Sequence, residues 1–184
     1  QEFMIIPSNK YLFKEGLMKS VEVYMNLKKH LSDKGHSISV GDEGGFAPNL
    51  GSSEEVLKTI ITSIEEIGLV YLDDISIALD CAASELYQDN SYHLAGEGKK
   101  LSSDQMVEYI TELSKKYEIK SIEDPFDEGD WDSWKKFTKL NENLQVVGDD
   151  IFVTQEEILK KGIDENAANS ILVKLNQVGT LSET

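Results

Sequence analysis

The sequence predicts an α/β protein built as part of a TIM-like (β/α)8 barrel, with about five of the eight strands. Three observations predict it. From residue 52 onward, helical and strand-like periodicities alternate, and such short crossovers form right-handed parallel βαβ units. Four apolar strand segments run straight into a charged residue, namely Asp80, Glu123, Asp149 and Lys174. The last three follow one another at about 25 residues, the repeat of an eight-unit barrel of ~250 residues. A doubly wound sheet also allows this alternation. The charged residue at every strand end favours the barrel, because all four then point at one centre.

The elements follow in order. Residues 2–6 (EFMII) read as a strand ended by Pro7. A long helix comes next, with Phe13, Leu17, Val21, Tyr24, Leu27 and Leu31 at the steps of one buried face and Gly35 as its stop. Residues 35–52 carry glycines and a proline without periodicity, which suits a lid or binding loop. Ser52 and Glu55 form a capping box for a helix with Val56, Ile60, Ile64 and Ile67 on its apolar face. Strand ISIAL runs into Asp80, and Asp89-Asn90 marks a small hairpin. Ser102 with Gln105 caps a helix reaching about Tyr117, and KSIE leads into Glu123. Residues 130–140 form a helix holding Trp131 and Trp134; LQVVG leads into Asp149. Thr154 and Glu157 cap the next helix, and ILV leads into Lys174. No low-complexity tract or linker interrupts residues 1–184, so a single domain is expected.

Acidic residues outnumber basic ones 34 to 18 in 184, a formal net charge of −16. Such a surface repels phosphate backbones and anionic headgroups, which argues against nucleic-acid binding. No apolar run approaches the ~18–20 residues of a membrane span. The opening QEFMIIPSNK lacks the pattern of a signal peptide, and Cys81 has no second cysteine to pair with. The expectation is a soluble, cytoplasmic protein. The chain also starts inside a strand without an initiator Met and stops where a helix would begin, so it reads as a piece of a longer protein.

Three carboxylates ending consecutive strands make a hard-oxygen site suited to Mg²⁺, which keeps places for water or substrate. No Cys/His cluster competes: His30, His36 and His93 read as surface residues. Lys174, beside a divalent cation and partly desolvated, would have its pKa lowered and become a general base. The plain alternative is a salt bridge from Lys174 to one of the carboxylates. Glu2, at the first strand, and Glu43, in the glycine-rich loop, form a second acidic set that would act as general acid if brought close. Gly41, Gly44 and Gly45 around Glu43 suit a close backbone approach.

Six pieces in order carry a resemblance: QEFMI, VGDEGGFAPN, IALDCAASE, SIEDPF, VVGDD and ILVKLNQVGTLSET. Together they resemble the enolase (phosphopyruvate hydratase) family across essentially all of the chain, in its C-terminal barrel domain. The resemblance implies a lyase catalysing reversible, Mg²⁺-dependent dehydration of 2-phospho-D-glycerate to phosphoenolpyruvate in glycolysis. It assigns the metal to Asp80, Glu123 and Asp149, the base to Lys174, and proton donation to Glu43 with Glu2 beside it. It further implies substrate contacts at Gln1, Glu2, Glu123, Asp149 and Lys174, and a homo-oligomeric parent enzyme.

The family pattern also includes an N-terminal α+β domain and later barrel units bearing most substrate contacts, which are absent from residues 1–184. The expectation is therefore that this piece alone is inactive, and that its open strand edges pair with another copy or with the rest of an enzyme. A second reading is a non-catalytic, surface-displayed or secreted fragment, plasminogen-binding or antigenic. The lysine pairs at 28–29, 99–100, 135–136 and 160–161 are its only support, and they read as solvated helix or loop residues. A third, racemase-like or cycloisomerase-like chemistry within the superfamily, is disfavoured by the LNQVGTLSE run.

Overall fold

A computed structural model describes residues 1–184. Its chain gathers into two compact units, Phe3–Ala78, and Gln1–Glu2 with Leu79–Thr184, divided inside a strand. In chain order the strands are β1 (Glu2–Pro7), β2 (Ile75–Asp80), β3 (Tyr87–Gln88), β4 (Ser91–Leu94), β5 (Lys99–Leu101), β6 (Ser121–Glu123), β7 (Gln145–Gly148) and β8 (Ser170–Ile171). The helices are α1 (Phe13–Asp33), α2 (Ser53–Glu65), α3 (Ser103–Lys116), α4 (Trp131–Leu140), α5 (Glu156–Glu165) and the single turn α6 (Leu175–Val178). No helix is long and apolar enough to cross a membrane.

In the unit Phe3–Ala78, β1 and β2 are neighbours and α1 packs on α2. Val23 and Leu31 of α1 are buried with Leu57, Ile60 and Ile64 of α2. The predicted stripe of α1 is covered only toward its C-terminal end: Leu31 is buried and Tyr24 and Leu27 are part-buried, while Phe13 is 86% exposed and Leu17 and Val21 are more than half exposed. Polar contacts mark the face toward α2. Asn26 Nδ2 donates to the Ser63 carbonyl at 3.0 Å and to Glu66 at 2.9 Å, and His30 Nδ1 lies 3.1 Å from Glu66. His30 is thus largely covered and not a surface histidine. Gly16 on that face lies against Pro7, where an added Cβ would be only 3.2 Å from the proline ring.

The start of α2 also differs in detail. Ser52 Oγ accepts the Glu55 N–H at 3.2 Å, as a cap should. The Glu55 carboxylate reaches past Ser52 to the Gly51 N–H at 2.7 Å, so the reciprocal half of the box is displaced by one residue. Residues 35–52 form a long loop as expected, with one isolated bridge from Val40 to Phe46.

In the unit containing Leu79–Thr184, the end of β2 is followed across the sheet by β6, β7 and β8. β6 and β7 are parallel with Ile122 opposite Val146, and β7 and β8 are parallel with Gly148 opposite Ile171. Helices α3, α4 and α5 return the chain between successive strands, so the sheet is part of a barrel and not a closed one. The three-stranded antiparallel β3-β4-β5 is an excursion between β2 and α3. Asp89 and Asn90 turn its hairpin with φ of 51° and 56°, the left-handed pair a tight hairpin requires.

The core of this unit is aromatic. Phe126, 1% exposed, meets Tyr92, Trp134 and Phe137 edge-on at centroid distances of 6.4, 6.2 and 5.4 Å. Its polar rims are satisfied: Trp134 Nε1 donates to the Asp127 carbonyl at 3.1 Å, and Tyr92 Oη donates to Asp130 at 2.8 Å. Phe152 fills the space left by two glycines. A Cβ on Gly148 would stand 2.5 Å from its ring, and one on Gly162 would meet the ring more closely still.

Phe126→Ala should therefore lower stability by about 3–5 kcal/mol, read as a shift in urea midpoint. Gly162→Ala should cost about 1–3 kcal/mol through overpacking against Phe152, although alanine is the better helix former. An unchanged midpoint in either variant would contradict this packing.

Candidate metal centre

The site is built where β2, β6, β7 and β8 release the chain. β2 ends at Asp80, and the Ala82 N–H donates to Asp80 Oδ1 at 2.9 Å across a left-handed Ala82. Glu123 ends β6, and its carbonyl accepts the Cys81 N–H at 2.9 Å, tying the exits of β2 and β6 together. Asp149 follows β7 and is 5% exposed. Lys174 follows β8, and its Nζ donates to Asp149 Oδ2. Gln177 Nε2 donates to the other oxygen, Oδ1, at 2.8 Å. A further link closes the group: Thr154 Oγ1 donates to Gln177 Oε1 at 2.6 Å and accepts the Lys174 N–H at 3.0 Å.

The electrostatics follow from gathering acids where water is scarce. Burial, then the charges of Asp80 and Asp149, pushes the Glu123 carboxyl up to about 7. Burial raises Asp80 as well, partly opposed by the Ala82 N–H, with Asp149 and Asp150 adding to the rise. The Lys174 ammonium is held above its ordinary value by its hydrogen bond to Asp149, with Glu123 and Asp150 contributing. Lys174 and Asp149 form an ion pair.

Two acids beside the predicted ligands are part of the cluster. Ligand oxygens of Asp124, Asp149 and Asp150 all lie within 4.8 Å of one another. Asp124 is 3% exposed, Asp150 is exposed, and burial pushes the Asp124 carboxyl up to about 6 against the N–H groups of Asp150 and Asp149. Sequence reasoning passed over both, although each directly follows a strand-end acid in the pairs Glu123-Asp124 and Asp149-Asp150. Thr154, predicted as a helix cap, instead serves Lys174 and Gln177, and α5 begins at Glu156 without a side-chain cap. Cys81 is a buried filler whose thiol is pushed up to about 12 by burial and the nearby Asp80.

The structure places Asp80, Glu123, Asp149 and Lys174 together in one unit, and each feels the charge of others in the set. Gln1 and Glu2 belong to the same unit, at the start of β1. Glu43 belongs to the other. It is exposed on a tight turn where the Gly41 N–H donates to the Gly45 carbonyl at 2.9 Å and Gly44 takes a φ of +83°.

The donor set suits a hard divalent cation. It is all oxygen, it is anionic beyond what Lys174 neutralises, and Asp80 and Glu123 remain partly open to solvent, which leaves room for water or substrate. The carboxylates that could hold one are Asp80, Glu123 and Asp149, with Asp124 and Asp150 adjacent. An acid-bearing rim at the ends of parallel strands is where barrels of this type do their chemistry. The whole chain, residues 1–184, matches the family described as "Enolase, C-terminal TIM barrel domain", and it belongs to that family.

Proposed function

We propose that this chain carries the metal ligands and the proton-abstracting base for reversible dehydration of 2-phospho-D-glycerate to phosphoenolpyruvate, with Mg²⁺ as cofactor. The observation that carries the reading is the set Asp80, Glu123 and Asp149 at neighbouring strand ends with Lys174 Nζ on Asp149. Bound by those three carboxylates, Mg²⁺ supplies the positive charge that stabilises the electron pair developing on the substrate carboxylate.

The chain's own groups do the rest. A proton alpha to a carboxylate is a very weak acid, so the base must be strong, near and neutral. Lys174 is placed at the rim with its Nζ fixed by Asp149, and its backbone is fixed by Thr154. Once it has released its proton to the solvent that reaches its 40% exposed side chain, it accepts the one on C2 of the substrate. The electron pair of the broken C–H bond passes to the carboxylate, then returns to form the C=C bond as the C3 hydroxyl leaves. That hydroxyl takes a proton and departs as water. The assignment of that proton to Glu43 with Glu2, and of a substrate contact to Gln1, rests on the sequence resemblance. Asp149 thereby has two tasks, holding the metal and orienting the base. Of the lysines behind the plasminogen-binding alternative, Lys99, Lys135 and Lys136 are paired with acids and Lys161 lies over Trp131.

A titration with Mn²⁺ as stand-in metal should find a site that Asp149→Asn weakens by at least tenfold. Undiminished binding in that variant would remove the metal reading. Residues 1–184 alone are expected to show no turnover in a dehydration assay following phosphoenolpyruvate; any turnover they do show should require Mg²⁺ and drop about 10²–10⁴-fold in Lys174→Ala. Turnover that survives this substitution would remove Lys174 as base. Metal binding without turnover would limit the chain to the metal half of the chemistry.

A further inference from the structure

Asp124 makes four hydrogen bonds at the centre. Its Oδ1 accepts the Asp149 N–H at 2.9 Å and its Oδ2 accepts the Asp150 N–H at 2.8 Å. Its own N–H donates to the Val147 carbonyl at 3.1 Å, and its carbonyl accepts the Ala83 N–H at 3.1 Å. One residue at the exit of β6 therefore holds the exits of β2 and β7. One N–H on each carboxylate oxygen fixes the rotation of the group as well as its position.

We infer that Asp124 is a positioning residue that aims the Asp149 carboxylate at the metal, and that it is not itself a ligand. The inference rests on the metal-centre reading above. Two observations separate positioning from ligation. Turning either Asp124 oxygen toward the Asp149 and Asp150 side chains would break the N–H bonds that organise the loop carrying them. The Asp149 side chain is already held from the far side by Lys174 Nζ and Gln177 Nε2. With its backbone N–H held by Asp124, the residue is fixed at both ends. Groups that orient a metal ligand in this way typically contribute 10–100-fold to metal affinity.

Asp124→Asn keeps the size and tolerates the left-handed backbone at this position, φ +40°. It sets an amide NH₂ against one of the two backbone N–H groups. The experiment is a Mn²⁺ titration followed by electron paramagnetic resonance on the wild-type chain and on this variant, with the melting temperature of each. A second readout is amide hydrogen exchange at Asp149 and Asp150 in the wild type, with and without Mg²⁺. The expected result is a 10–100-fold loss of Mn²⁺ affinity in the folded variant, while the wild-type amides at 149 and 150 stay protected when Mg²⁺ is present. Equal affinity in the two proteins, with only a lowered melting temperature, overturns the inference and leaves Asp124 a structural residue. Loss of protection at those amides on adding Mg²⁺ overturns it in favour of Asp124 as a ligand. Wild-type chain that binds no Mn²⁺ overturns the metal-centre reading itself, an outcome distinct from the other two. If Asp124→Asn does not fold, the wild-type exchange measurement still decides between positioning and ligation.

Discussion

Gathering five carboxylates at the exits of three parallel strands is the constraint on which the unit Leu79–Thr184 depends. Two such charges 4 Å apart repel by about 4 kcal/mol at the effective dielectric of a protein surface. Asp80, Glu123, Asp124, Asp149 and Asp150 face that problem together, with one ammonium, Lys174, to offset it. Further compensation comes from Gln177 Nε2 on Asp149 and from backbone N–H groups. Ala82 donates to Asp80, and Asp149 and Asp150 donate to Asp124. Ala82, whose N–H turns onto Asp80, takes a positive φ of 41°, and Asp124, Val153 and Thr154 in the turns after β6 and β7 take φ between 40° and 55°. Strain of this kind persists only where the surroundings hold it in place.

The surroundings here are the aromatic cluster under β6. Pro125 and Phe126 come directly after Asp124, and Phe126 is packed edge-on by three rings. The left-handed turn at Asp124 is thus followed at once by a residue with restricted φ and then by a buried anchor. On the next strand the same logic uses glycine in place of an aromatic. Gly148 has no Cβ to meet the Phe152 ring, so the chain can fold back through Asp149 and let the N–H groups of Phe152 and Val153 return to the Asp149 carbonyl at 3.1 and 2.8 Å. Packing on the apolar side and hydrogen bonding on the polar side fix the same few residues.

Much of this was legible in the sequence, for local reasons. A short apolar run ending in a charge is a pattern within a single strand, and it located Asp80, Glu123, Asp149 and Lys174 without knowledge of their neighbours. The Asp89-Asn90 hairpin and the Ser102–Gln105 box are equally local, and both are present. What failed was whatever depends on a partner distant in sequence. In α1 the predicted stripe is covered at Leu31, where Asn26 and His30 meet α2, while Phe13, Leu17 and Val21 stay exposed. The hydroxyl of Thr154 sits at a plausible cap position, but Lys174 and Gln177, 20 and 23 residues away, claim it first.

Asp124 and Asp150 went unrecognised for a different reason: each follows a residue whose role was easier to see. Consecutive residues leaving a strand face different ways. At the first pair the half-exposed Glu123 joins the charge cluster while Asp124 turns inward to receive N–H groups. At the second, Asp149 is buried and bonded on both oxygens while Asp150 is exposed. The two pairs interlock, because the inward acid of the first holds the backbone of both acids in the second. Composition treats the four carboxylates as equivalent, and spacing treats each pair as one strand end. What separates the two buried acids is what each carboxylate bonds: Asp124 takes two backbone N–H groups and holds the chain, whereas Asp149 takes the side chains of Lys174 and Gln177.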